Sequence, residues 1–217
     1  MENSDPQPNV SSGAAAYEAL LKAISDGTLK PGDRLREVEV SKLLNLSRTP
    51  VREALRRLES DGIVEHQPRI GAAVRQLSHS EIVELYEMRV VLERTAAEMA
   101  AKHASEAEID TLEGLNRDIA ESRNDPVAAA AINQSFHKAL YQACRNRFLL
   151  DAASGLNNSL ILLGITTFTD EARIDTVVRQ HQDVIDALRA RDPTRAGEAA
   201  EAHLQTSLRK RLKVLGS

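Results

Sequence analysis

The sequence predicts a mainly α-helical protein in two parts: an N-terminal unit of three helices plus one small β-hairpin, and a C-terminal all-helical antiparallel bundle of about six helices. Three observations predict it. The 217 residues are 42% hydrophobic yet hold only three Phe, three Tyr and no Trp, so the core must be built from Ala, Leu, Ile and Val, which suits close helix packing. Apolar residues recur at helical spacing through most of the chain. The one clear break, between residues 63 and 76, is a pair of short extended runs around a Gly-containing loop.

Residues 1–13 are polar, contain Pro6 and Pro8, and read as a disordered tail. A first helix is expected over 14–26, with Tyr17, Leu20, Leu21 and Ile24 on one side and Gly27 ending it. Lys30-Pro31-Gly32-Asp33 is a turn signal. Glu37–Leu44 is a short second helix, followed by the tight turn Asn45-Leu46-Ser47. The third helix is the element around which the unit is organised. Thr49 is expected to cap it, with Pro50 as first residue, because Pro is pre-set for that position and lacks only an N–H that would be orphaned there. Val51, Leu55 and Leu58 form its apolar stripe, and Arg48, Arg52, Arg56 and Arg57 lie off that stripe. Gly62 stops it. The arginines have two readings, a recognition helix for a DNA major groove or an ordinary solvated basic face. The runs 63–67 and 72–76 flank Pro68-Arg69-Ile70-Gly71 and make a hairpin with Arg69 at its tip. A hairpin directly after a helix–turn–helix is a wing, so 14–76 reads as a winged helix–turn–helix domain.

Residues 77–78 are a linker, and 79–217 form the helical domain. Helices are expected at about 79–103, 105–124, 126–144, 147–167, 170–191 and 193–213. Ser78…Glu81 and Ser105…Glu108 fit capping boxes, and Asp125-Pro126 and Asp192-Pro193 each place an N-cap before a Pro.

The net charge of −4 on its own argues against a nucleic-acid partner, but its distribution points the other way. Residues 14–76 hold 11 Lys and Arg against 9 Asp and Glu, whereas 77–217 hold 17 against 21. The lone Cys144 excludes an internal disulfide, fits a reducing compartment, and reads as a small buried hydrophobe rather than a reactive thiol. The N-terminus lacks the pattern of a signal peptide, and the longest apolar run, near 160–165, is too short to cross a bilayer, so no membrane partner is expected.

The stretch Leu46-Ser47-Arg48-Thr49-Pro50-Val51-Arg52-Glu53-Ala54-Leu55-Arg56-Arg57-Leu58, followed by the wing, resembles the GntR family of bacterial transcription regulators. The resemblance implies operator contacts by Arg48, Thr49 and Arg52. Where relatives carry a basic residue early in the second helix this chain has Val38, so Arg36, two residues earlier, is the candidate for that contact. The wing of relatives reads Arg-Gly; here Ile70 precedes Gly71, and Arg69 stands in from one position away.

Asn133 and His137 share one helix face, and His181 and His203 lie near the apolar stripes of two later helices. Spacing alone leaves two readings, hydrogen-bonded histidines or ligands to one divalent cation in a bundle. The segment 79–213 resembles the ligand-binding domain of the FadR subgroup of that family (its FCD-type domain), in the six-helix VanR-like branch. Met88-Arg89-Val90-Val91-Leu92-Glu93 and Asn133-Gln134-Ser135-Phe136-His137 carry the likeness. It implies that Asn133, His137, His181 and His203 ligate zinc, nickel or a similar ion. Asn133 stands where Asp is frequent, so the site loses one negative charge and weaker binding is expected. His66, His79 and His103 read as surface residues. Arg89 is the candidate for gripping an effector carboxylate, its alternative being an ion pair with Glu93.

The resemblance implies a cytoplasmic, ligand-responsive regulator, a repressor that reads an inverted-repeat operator as a homodimer and responds to a small organic acid. Two competing classes are a metalloenzyme using His137, His181 and His203, and a plain protein-interaction bundle.

Overall fold

The computed structural model describes residues 12–164, 167–168 and 171–215. Most of the expected tail (1–11), with positions 165, 166, 169 and 170 near the boundary between the helices expected at 147–167 and 170–191, lies outside the described residues. The described chain divides into two units, one reaching to Leu77 and including Asn158–Gly164, the other made of the rest.

The first unit holds α1 (Ser12–Ser25), α2 (Glu37–Leu44), α3 (Arg48–Ser60) and the antiparallel pair β1 (Val64–Gln67) and β2 (Gly71–Val74). Its core joins Tyr17, Leu20 and Ile24 of α1, Val40 of α2, and Val51, Leu55 and Leu58 of α3 to Val64 and Val74 of the hairpin. The stripe read from the sequence is therefore the face that α3 buries. Asn45 turns the chain between α2 and α3 in the left-handed region, at φ 54°. Asp61 caps α3, and Gly62 follows at φ 70°, the αL residue that ends it. One expectation is corrected here. Ser47, not Thr49, precedes the helix; Arg48 is its first residue and Pro50 its third. The first-turn amides have no intrahelical acceptor, so a proline is tolerated at any of those positions.

Tyr17 fastens α1 to α3. Its hydroxyl donates to Asp61 at 2.6 Å, and the Arg57 guanidinium lies 3.9 Å from its ring centroid. Burial, then the bond to Asp61, pushes the phenol up to about 12.

The second unit holds α4 (His79–His103), α5 (Glu106–Glu121), α6 (Pro126–Ala143), α7 (Arg147–Leu160), α8 (Glu171–Arg189) and α9 (Pro193–Leu215). Both capping boxes are present, and Asp125 accepts from the amides of Val127 and Ala128. Small residues dominate where α4 meets α9: Ala97, Ala100 and Ala101 on one, Ala196 and Ala200 on the other, all buried. At Gly197 a β-carbon would come within 2.7 Å of Glu98 Cγ and 3.1 Å of Arg94 Cγ.

Two expectations about the middle of the chain are corrected. The helix expected over 147–167 stops at Leu160 and gives way to one 3-10 turn, Ile161–Leu163, closed by Gly164 at φ 67°. The sequence assigns this stretch to the helical domain, yet Leu162 is buried in the first unit's core beside α1. An apolar run satisfies either core equally well, so periodicity alone carried the helix too far.

Candidate nucleic-acid interface and metal centre

Arg48, Thr49 and Arg52 are exposed at the start of α3, on the side away from its buried stripe. Ser47 makes no side-chain cap bond, so the first-turn amides of α3 have no side-chain acceptor there. Arg56 is exposed as well, whereas Arg57 is committed to Tyr17. The hairpin tip carries Arg69, exposed and in the left-handed region at φ 69°. Arg36 is exposed and donates through Nη1 to Glu39 at 2.8 Å. Arg52 is held by Glu37: Nε donates to Oε1 at 2.7 Å and Nη2 to Oε2 at 2.8 Å. Sequence reasoning missed Glu37, whose pairing joins residues 15 apart on two helices.

In the second unit, helical spacing aims a second group of polar side chains inward. On α4 the buried positions Ile82, Tyr86, Arg89, Glu93, Ala96 and Ala100 follow one stripe. His137 lies between Phe136 and Leu140 on α6, His181 between Val177 and Ile185 on α8, and His203 beside Ala200 and Leu204 on α9, all buried. The three imidazoles converge: ring centroids are 5.4 Å apart for His137 and His181, 5.2 Å for His137 and His203, and 4.7 Å for His181 and His203. One nitrogen from each lies within 4.8 Å of the others. His181 also stacks on Phe136 at 3.8 Å.

The surroundings of this cluster hold two of its imidazoles neutral. Burial, reinforced by neighbouring positive charge, pushes His181 and His203 well below the ordinary histidine value, so both are neutral and keep a lone pair to give. His137 Nδ1 lies 2.6 Å from Glu93 Oε1, which leaves Nε2 as its ligating atom. Burial works against the Glu93 charge, but His137, then Arg89, outweigh it and hold that carboxyl below the usual range. His203 Nδ1 lies 3.3 Å from Gln180 Oε1. Among the described residues, neither ring nitrogen of His181 has a hydrogen-bond partner, nor does the buried Oδ1 of Asn133. Buried polar atoms left this way are costly, and a metal ion would take one nitrogen of His181 and the Asn133 oxygen. The donor set fits zinc or nickel.

Arg89 is 7% exposed, 3.9 Å from Glu93 Oε2 and 5.0 Å from the Tyr86 ring centroid. The sequence alternative, a pair with Glu93, is thus formed loosely, and that glutamate ties Arg89 to His137. Glu93 is the second residue whose part the sequence did not show. His66, His79 and His103 are exposed, as expected. A recess of about 330 Å3 between α8 and α9 is lined by Arg173, Thr176, Thr206, Arg209, Lys210 and Lys213.

Residues 13–74 match the family model described as bacterial regulatory proteins, gntR family, and residues 84–206 match that of the FCD domain. The chain is 30% identical over 190 residues to an uncharacterized HTH-type transcriptional regulator, YdhC, of Bacillus subtilis, covering 86% of this chain and 85% of that one. It is 33% identical over 193 residues to a probable D-xylose utilization operon transcriptional repressor of Paenarthrobacter nicotinovorans, covering 87% and 84%. Among solved structures, Escherichia coli McbR/YncC superposes with a TM-score of 0.81 at 22% identity, over 95% of this chain and 99% of that one, which shows a shared fold.

Proposed function

The chain belongs to the GntR family of bacterial regulatory proteins and carries that family's FCD domain, and from this premise we propose that it is a homodimeric repressor released or engaged by a small organic acid bound beside a divalent metal. Family membership makes it a DNA-binding transcription regulator and not an enzyme, which sets aside the metalloenzyme reading.

The observation that carries the proposal is the joint exposure of Arg48, Thr49 and Arg52 at the start of a helix whose opposite face is core. Arg48 and Arg52 read base edges from the major groove, where a bidentate arginine–guanine pair is worth ~1–3 kcal/mol of discrimination. Thr49 and the uncapped first-turn amides take phosphate oxygens. Arg69 reaches the flanking backbone from the wing, and Arg36 adds a phosphate contact. One short helix offers few base contacts, so two copies reading inverted half-sites give a selective site. Exposed Met88 and Val91 on α4 supply apolar surface for pairing.

Asn133, His137, His181 and His203 hold the metal. Such an ion, when bound, would supply positive charge that attracts an effector carboxylate. Arg89 lies one glutamate away from His137 and supplies the complementary guanidinium. The cation-lined recess between α8 and α9 favours an acidic effector over a neutral one. Effector binding shifts operator affinity by a coupling energy of ~1–3 kcal/mol. No described helix is long and apolar enough to cross a membrane, and the reading places the protein in the cytoplasm.

The test is a gel shift on DNA upstream of the protein's own gene, with and without a panel of organic acids. The expected result is a selective complex that one acid weakens or strengthens. A protein with Arg48→Ala and Arg52→Ala that still shifts this DNA as the unmodified one does would overturn the reading.

A further inference from the structure

The exposed pair between Glu37 and Arg52 is placed where the proposed reading face would meet DNA. A carboxylate there repels phosphate. The pair lies at the surface, with 30% of the Glu37 side chain and 54% of the Arg52 side chain open to solvent, so the fold depends little on it. Its geometry is informative. A guanidinium carries five N–H donors in a planar fork. Glu37 takes the Nε–H and one Nη2–H, which together form the side edge of that fork. Both Nη1–H groups and the second Nη2–H remain. That Nη2–H and the Nη1–H parallel to it form the end edge, a pair of donors matched to the O6 and N7 acceptors of guanine. The neighbouring Arg36 is the contrast: Glu39 holds it through Nη1 alone, a single hydrogen bond that does not fix the guanidinium plane.

We propose that Glu37 is the positioning residue for Arg52: by gripping the side edge it fixes the guanidinium plane and turns the end edge outward toward one guanine of the half-site. The inference rests on the DNA-reading function proposed above. An unheld arginine samples many rotamers, and ordering it on contact costs side-chain entropy. Glu37 meets that cost before DNA arrives, in exchange for weaker attraction to duplex in general. Held in this way, Arg52 gains selectivity rather than raw affinity.

The experiment first selects a binding site from random duplexes with the full-length protein, then measures affinity for that site, for bulk DNA, and for the site with each guanine in turn replaced by 7-deazaguanine, which lacks the N7 acceptor. The wild type is expected to show one guanine per half-site whose loss is felt several-fold and disappears in Arg52→Ala. In Glu37→Ala and Glu37→Gln that penalty shrinks at least about threefold, while affinity for bulk DNA holds or rises. Glu37→Asp keeps the charge but is one methylene short, so it behaves like Glu37→Ala. Circular dichroism and melting temperature stay at wild-type values for all three. If the Glu37 variants keep the full 7-deazaguanine penalty, or if Glu37→Asp behaves as wild type, Glu37 acts through charge alone and the positioning role is wrong. A wild-type protein that selects no site at all would instead refute the DNA-reading proposal itself.

Discussion

Leu162→Ala tests whether a residue that follows the fourth helix of the bundle is structurally part of the winged unit. Leu162 is 3% exposed and belongs to the cluster that contains Leu20, Ile24, Val51 and Leu58. Truncating a buried leucine costs ~2–5 kcal/mol, through lost transfer energy and the cavity left behind. Leu162 sits on a single 3-10 turn at the α1 edge of this core, so the lower end applies, ~2 kcal/mol. Because each 1.36 kcal/mol is a factor of ten, hydrogen exchange of the slowest amides in α1 and α3 should speed up about 30-fold. The assay is exchange read by mass spectrometry on peptides from α1 and α3, with Phe148→Ala as control, since that ring is 72% exposed and should be silent. Unchanged exchange in α1 and α3, with faster exchange only in α7 and α8, would refute the reasoning.

The other predictions concern the histidine cluster, Tyr17 and the arginines. Zinc or nickel added to stripped protein should raise the melting temperature, and His203→Ala should abolish the shift; calorimetry that finds no heat with either ion would end the metal reading. Glu93→Gln removes the carboxylate that orients His137 and should weaken metal binding by about 10–100-fold, measured by competition with a chelating dye. Tyr17 has its folded-state value raised to about 12 from 10.0, so its protonated form is favoured in the fold. The stability this contributes is complete below pH 10 and is lost as pH rises toward 12. Melting profiles of wild type and Tyr17→Phe should therefore converge across that window. Replacing both Arg48 and Arg52 by Ala should remove selective DNA binding with helix content unchanged by circular dichroism.

Local chemistry made much of the first unit legible. Val51, Leu55 and Leu58 announced the buried face of α3. The chain also declared its capping boxes at Ser78 and Ser105 in four-residue signatures. The three histidines could be tied to one centre only through family likeness, because Asn133, His137, His181 and His203 come from helices up to 70 residues apart and only the fold sets their separation. What stayed hidden was of the same kind. The pairing of Glu37 with Arg52 and of Glu93 with His137 crosses between helices, so no periodicity reports it. Thr49 looked like a cap because Pro50 is common just after one. The run at 161–163 looked helical because a 3-10 turn seated in another core has the same apolar content.

Gly197 gives the histidine cluster a gauge. His203 lies six residues further along α9, about 9 Å at the helical rise, and Glu93 lies one turn before Ala97 on α4. A lone hydrogen atom at position 197 leaves the space that the stems of Glu98 and Arg94 occupy, where a β-carbon would crowd both. Any larger residue there must displace those two stems or part the helices. Parted helices would spread the three imidazoles, so under the metal reading proposed above a position that touches none of the ligands would set how tightly they close.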